Sequence, residues 1–237
     1  MEYIDAANLK STELNKEIIS KLERYGEVTV QNPHSMHNVA AGLPTQGKVV
    51  IQGSTGFYTG GFMEGTTLQV EGNAGWYAGD NMMEGELLIS KNTGCNAGTY
   101  ICGGNIVVYG NTGSRVGYGM KGGTIIVCGS AGPWAGQMTM GGKLIILGKA
   151  GSKMGESMYK GAIFVRDPEA GEKIGSNVFL DIIKADEEQE LKDLFARYDI
   201  TADPAEFKVV RPMQTGRHTY VLFNPDLKPE LSRKMSV

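Results

Sequence analysis

Glycine recurs along this chain at an almost constant interval. Gly56, Gly75, Gly94, Gly113, Gly132 and Gly151 stand 19 residues apart, and Gly171 follows after 20. A second series, four residues on, is Gly60, Gly79, Gly98, Gly117, Gly136, Gly155 and Gly175. A third is Gly65, Gly85, Gly104, Gly123, Gly142 and Gly161. The units align without gaps in the middle of the chain: NIVVYGNTGSRVGYGMKGG (Asn105–Gly123) is followed directly by TIIVCGSAGPWAGQMTMGG (Thr124–Gly142). A period near 20 residues with fixed glycines is that of a solenoid, in which each repeat is one coil stacked on its neighbours.

The residues between the glycines decide the kind of coil. Each unit opens with a short aliphatic run, VVI, TLQV, LLI, IVV, IIV, LII or IFV. Such runs are too short and too β-branched for helix, and the remaining residues leave no room for a crossover helix. Each strand must therefore pair in parallel with its own copy one coil away, about 4.8 Å distant. Glycine suits the corners, where the chain turns sharply. The expected fold is all-β: a parallel β-helix of about seven coils.

Strand alternation identifies the filling. One inward column reads Val49, Leu68, Leu87, Ile106, Ile125, Leu144, Ile163; a second reads Ile51, Val70, Ile89, Val108, Val127, Ile146, Val165. A third, mostly small, is Thr59, Ala78, Ala97, Val116, Ala135, Met154, Ile174, and a fourth is Met82, Ile101, Met120, Thr139, Met158. The middle strand positions point outward, yet Val50, Leu88, Val107, Ile126, Ile145 and Phe164 are apolar and only Gln69 is polar. A stripe of that kind needs a cover. We expect one of the chain's own helices to supply it, either the N-terminal face Leu14, Ile18, Leu22 or the C-terminal face Leu191, Leu194, Phe195.

Those helices flank the repeat. STELNKEIISKLER, from Ser11 to Arg24, has helical periodicity, with Ser11 or Thr12 as cap, Tyr25 continuing the apolar face and Gly26 as stop. A second helix is expected over Asp186–Tyr198, with an acidic first turn. The organisation read from the sequence is a helix and lead-in over 1–46, the β-helix over 47–179 and a helix with an extended arm over 180–237. The solenoid should end near Pro168, which breaks the seventh coil. Val28–Val30 and Tyr220–Phe223 are candidate short strands.

Composition narrows the function. A net charge of −3 argues against nucleic acid as partner. No apolar run reaches a membrane span, and no signal peptide is evident. Three cysteines, Cys95, Cys102 and Cys128, form no CxxC pair, which fits a reducing, cytoplasmic setting and no metal site. His34 and His37 in the lead-in lack a third ligand nearby. Gly117–Gly122 matches GxGxxG, but a β-repeat follows where a dinucleotide site requires a helix. Glu64 and Glu84 fall at equivalent corners of adjacent coils, about 5 Å apart, with no third group to make a sugar-cleaving site. No catalytic residue is expected. The residues that read as an interaction surface are the aromatic corner Phe57, Tyr58, Trp76, Tyr77 and the lead-in residues His34, His37, Asn38, because aromatic clusters rimmed by polar groups are typical of interface cores.

The Gly-x-x-x-Gly coils with their Ile/Val-rich strands resemble the GXGXG domain, the right-handed β-helix of the glutamate synthase large subunit, and more closely its stand-alone form. The resemblance extends to TELNKEI (Thr12–Ile18), to NPHSMHNVAAGL (Asn32–Leu43) and to the helix after the solenoid. N-methylglutamate synthase has a similar small subunit with the NP-x3-HN-x-A-x-GL pattern, and formylmethanofuran dehydrogenase a similar β-helix. The resemblance implies a non-catalytic scaffold in a hetero-oligomer. It would lie between a glutaminase-type amidotransferase subunit and an FMN-dependent synthase subunit. FMN and iron–sulfur clusters would belong to those partners, and this chain would carry no cofactor.

Overall fold

The computed structural model describes residues 2–213; the candidate strand Tyr220–Phe223 and the expected extended arm lie outside them. The elements run β1 (Glu2–Asp5), α1 (Ser11–Tyr25), β2 (Glu27–Gln31), β3 (Gly47–Gln52), β4 (Glu64–Val70), β5 (Glu84–Ile89), β6 (Asn105–Val108), β7 (Thr124–Val127), β8 (Met140–Ile146), β9 (Lys160–Val165), β10 (Val178–Ile182), α2 (Ala185–Arg197) and β11 (Lys208–Pro212). Strands β1 to β9 pair in sequence order, all parallel, and the sheet ends β9-β11-β10. The chain is a parallel β-helix with two flanking helices.

The register is the one that superposition of the repeats requires. Val49 pairs with Leu68, Leu68 with Leu87, Leu87 with Ile106, Ile106 with Ile125, Ile125 with Leu144 and Leu144 with Ile163. Both inward aliphatic columns are buried along their whole length, as are Thr59, Ala78, Ala97, Val116, Ala135, Met154 and the fourth column from Met82 to Met158. Ile174 is partly buried and bridges to Met154. Glycine is required where the third column approaches the axis. At Gly98 φ is +66°, and an added Cβ would lie 2.3 Å from Ile125 Cδ1, so both the backbone conformation and the space exclude a side chain.

The stack begins earlier than the glycine repeat. β2 continues the sheet with Val28 opposite Val49 and Val30 opposite Ile51, and the lead-in closes into a coil whose Val39 and Leu43 are buried in the same axial core. Ala40 and Asn38 adopt positive φ there, 56° and 58°, at the positions that Gly60 and Tyr58 hold in the next coil. α1 then packs Leu14, Ile18 and Leu22 into the axial cluster. It plugs the end of the cylinder and does not cover its outer stripe. Two details differ from the sequence reading. Lys10 is the N-cap, with its N–H donated to the Glu13 carboxylate (2.8 Å), and Tyr25 is exposed, with Arg24 5.0 Å over its ring.

The outer stripe is covered by α2. Val107, Ile126, Ile145 and Phe164 form a second core with Leu191, Phe195, Tyr198, Phe207 and Val209, and Leu88 and Leu194 pack at its margin. Ion pairs pin the helix in place: Arg197 Nη2 to Glu86 Oε1 at 2.6 Å, and Lys143 to Glu190. The Tyr198 hydroxyl also donates to Glu86, 2.7 Å.

At Pro168 the seventh coil is interrupted but not ended. A short 3-10 turn over Ala170–Glu172 replaces the usual corner, and pairing resumes at Ile174. β11 was not foreseen; it runs antiparallel to both β9 and β10.

A polar ladder, not anticipated from the sequence, runs up one corner. Asn92 N–H donates to Asn73 Oδ1 (3.1 Å), Asn111 N–H to Asn92 Oδ1 (2.8 Å) and Ser130 N–H to Asn111 Oδ1 (2.8 Å). Each side chain thus satisfies the backbone of the next coil where strand pairing lapses. Beside it, the Thr112 hydroxyl is buried and finds no hydrogen-bond partner among the described residues, while its column carries Ala131 and Ala150 in the coils that follow. Thr112→Val, which trades that hydroxyl for a methyl, is expected to raise stability by about 1 kcal/mol. A lower melting temperature for the variant would show that the hydroxyl has a partner.

Candidate partner-docking surface

The corner that follows the first glycine of each coil projects two side chains, and in the first two repeats all four are aromatic. The rings stack one coil on the next. Tyr58 lies on Tyr77 with centroids 4.9 Å apart, and Phe57 on Trp76 at 5.5 Å. His37 extends the second row, its ring 4.6 Å from Phe57. The His37 Nδ1 also accepts the Phe57 N–H at 2.8 Å, which fixes the ring's direction and leaves Nε2 outward. Offset stacking of this kind favours the observed separations.

The backbone explains why these side chains stand out. Tyr58 and Tyr77 sit at φ near 60°, and so do Asn96, Arg115, Trp134 and Lys153 in the same column. A left-handed residue costs about 1–2 kcal/mol when it carries a Cβ. It also reverses the strand alternation, so that large side chains are turned outward at the corner. Phe57, Tyr58 and Trp76 remain exposed, Trp76 by 50%. Phe62, 57% exposed, stands at the other end of the same turn; it is not among the interaction residues expected from the sequence. Its hydrophobicity was the available signal.

The lead-in residues divide. His37 belongs to the aromatic rows. Asn38 is held through its backbone, donating to the Phe57 carbonyl (2.7 Å) and accepting from the Asn15 amide (2.8 Å). His34 lies apart, lining an open cleft with Asn32, Ser35, Gln52 and Ser54. Further up, the corner becomes polar and cationic: Arg115 lies 4.7 Å over the Trp134 ring and Lys121 5.5 Å over Tyr100.

The groups considered for chemistry do not converge. Glu64 and Glu84 are paired in register, and both are exposed. Burial pushes the Cys128 thiol up to about 11, so it stays protonated at neutral pH and is a poor nucleophile. Among the described residues no cluster of three or more His, Cys, Asp or Glu is placed to hold a metal ion, and no described helix is long and apolar enough to cross a membrane. Compared with protein-family models and with curated proteins, the chain finds no match in either.

Proposed function

We propose that this chain is a non-catalytic scaffold subunit of a glutamate synthase-type complex, which docks its partners at the aromatic corner. The observation that carries the docking is the stacked, exposed row His37–Phe57–Trp76 with Tyr58–Tyr77. The other apolar stripe of the solenoid is sealed by α2, so among the described residues this corner is the large aromatic surface left to the solvent. Rigid aromatic side chains on a stiff scaffold lose little entropy on binding and are favoured at interface centres. The complex itself is proposed from the resemblance of the glycine coils and of Asn32–Leu43. The partners are then a glutaminase-type amidotransferase subunit and an FMN-dependent synthase subunit, with FMN and iron–sulfur clusters carried by them, in the cytoplasm. The shared NP-x3-HN-x-A-x-GL pattern favours N-methylglutamate synthase as the second reading.

Co-expression with the products of adjacent genes tests the docking. Trp76→Ala is expected to weaken co-purification about tenfold or more, as truncation of a central aromatic does, while its folding stability stays within about 0.5 kcal/mol of the parent's. An intact complex with Trp76→Ala would remove the corner from the interface. The isolated chain is expected to be colourless and to show no glutaminase, synthase or polysaccharide-cleaving turnover; a flavin spectrum or turnover by the purified chain alone would refute the scaffold role.

A further inference from the structure

The polar ladder has an end, and that end lies in a cleft. Along the ladder each side-chain oxygen serves two donors of the following coil. Asn73 Oδ1 accepts the Asn92 N–H (3.1 Å) and the Asn92 side-chain amide (3.3 Å). Asn92 Oδ1 accepts the same pair from Asn111, at 2.8 and 3.3 Å. One coil earlier, Ser54 Oγ takes the Asn73 N–H (3.0 Å), and Ser54 is the first rung. Its own N–H and its hydroxyl proton are the corresponding pair of donors, and they meet no acceptor among the described residues.

The residue in line to serve them is His34. The Ser35 N–H donates to the Ser54 carbonyl (3.1 Å) as the Thr55 N–H does to that of Asn73 (2.8 Å), so His34 precedes Ser54 in the ladder column by one coil. Its exposed ring makes no hydrogen bond among the described residues. The cause lies in the backbone. Seven steps lead from Gln31 to Asn38, against six from Gln52 to Tyr58, between the same two points of the register. The extra residue is absorbed by left-handed turns at Asn32 (53°), His34 (44°) and Ser35 (56°), a conformation that Ser54, Asn73, Asn92 and Asn111 do not share. The His34 ring consequently lines an open cleft of about 260 Å³ between Asn32–Ser35 and Gln52–Ser54 without closing it. Pro33 sits so tightly on Gly53 that a Cβ there would stand 2.9 Å from its ring, which fixes one wall on the other.

The uncommitted groups of the cleft define what fits it. Gln52 Oε1 accepts from the Gln31 amide (3.0 Å), which leaves the Gln52 NH2 as a donor. Asn32 gives its NH2 to Asp5 Oδ1 (2.9 Å), which leaves its own Oδ1 as an acceptor. With the Ser54 pair, the cleft offers several donors to one oxygen and an acceptor to one N–H. A carboxylate matches the donors but not Asn32 Oδ1. It would also face the ionised Asp5, whose carboxyl the Asn32 amide, then the Ala7 N–H and the nearby His34 hold below the usual range. A primary carboxamide matches both kinds of group and carries no charge, and carboxamides stack on one another in ladders of this kind. We propose that the cleft receives a primary carboxamide, the Asn or Gln side chain of the docked partner, as one further rung of the ladder. Its oxygen accepts from the Ser54 N–H and hydroxyl, and its NH2 donates to Asn32 Oδ1. The cleft adjoins the docking row, since the Ser35 carbonyl and the His37 ring both lie against Gly56, the neighbour of Phe57. The site deepens the docking reading and rests on it for the source of the carboxamide.

The probe is the tripeptide Gly-Asn-Gly, acetylated and closed as an N-methylamide so that the side chain is its only primary carboxamide. It is set against the Leu peptide, which keeps the shape, and the Asp peptide, which keeps the oxygen and adds a charge. Each is titrated into the full chain at neutral pH while the Ser54 N–H and the Gln52 NH2 are followed by NMR. The Asn peptide is expected to move the Ser54 N–H downfield and to bind about tenfold more tightly than the Leu peptide, the scale of two net hydrogen bonds. The Asp peptide is expected to bind no better than the Leu peptide. Ser54→Ala, at a half-buried corner, removes the hydroxyl and is expected to cut the preference about threefold. Equal response to the Asn and Leu peptides, a stronger response to the Asp peptide, or an undiminished preference in Ser54→Ala overturns the site. The co-purified complex separates the two readings. Association lost with Trp76→Ala but unaffected by Ser54→Ala refutes the partner's carboxamide and leaves the docking surface standing. Association weakened by Ser54→Ala alone supports the site and moves the docking away from the aromatic corner.

Discussion

Val108→Asp is expected to leave no folded protein. Val108 sits on the cylinder axis, fully buried, in register between Ile89 and Val127. Its neighbours in the axial cluster are aliphatic, and the core offers the new carboxylate no donor or cation. An unpaired charge in such a place costs several kcal/mol even after it takes up a proton, against a total stability of about 5–15 kcal/mol for a domain. The measurement is soluble yield with far-ultraviolet circular dichroism. A soluble variant with undiminished β signal would mean that the inward register is displaced by one residue, since that slip turns every side chain to the other face.

Ile126→Lys is expected to be nearly as damaging, for a reason that lies outside the cylinder. Ile126 points away from the axis and is nonetheless fully buried, in the cluster where α2 lays Leu191 and Phe195 over Val107 and Ile145. Losing the isoleucine forfeits about 1.5–3 kcal/mol of burial. The ammonium then has to displace α2 or thread its stem to the surface. A total of about 3–5 kcal/mol follows, comparable with removing one partner from a buried pair, and it should appear as a lower melting temperature of the isolated chain. If Ile126→Lys melts with the parent and instead loses its partners, the stripe is an interface and α2 is not its permanent cover.

The axial columns were legible because 19 residues close one coil, so homologous positions superpose and their chemistry can be compared down the stack. The same comparison hid the coil formed by the lead-in. Val28 and Val49 are 21 residues apart rather than 19, and at its corner Asn38 and Ala40 take the left-handed conformations that glycine or an aromatic takes elsewhere. Without the glycines there was no period to follow. The choice of cover for the stripe was open because both helices have an equally apolar face; only the path of the chain after β9 brings Tyr198 to Glu86. β11 was missed because an antiparallel strand at the end of a stack has no sister sequence. At the docking corner, the stacking of Phe57 on Trp76 and of Tyr58 on Tyr77 followed from their spacing of 19. The free end of the polar ladder did not stand out, because the lead-in carries one residue more than the coil that follows it.

The two ends of the stack determine what the repeat alone would leave open. A parallel coil presents to its successor the donors, acceptors and apolar steps that it received from its predecessor, so such a stack can in principle grow without limit, like a fibril. Here growth is blocked twice. At one end α1 occupies the axis with Leu14, Ile18 and Leu22, and the outermost strand β1 is only four residues long, with Glu2 held by Lys21. At the other end the strand direction reverses at β11, and the last strand, β10, carries Asp181 clamped by Arg211. Short, charged or reversed edges are poor templates for another chain. Among the described residues the cylinder is therefore closed to further rungs at both ends, despite being built from a polymerising motif.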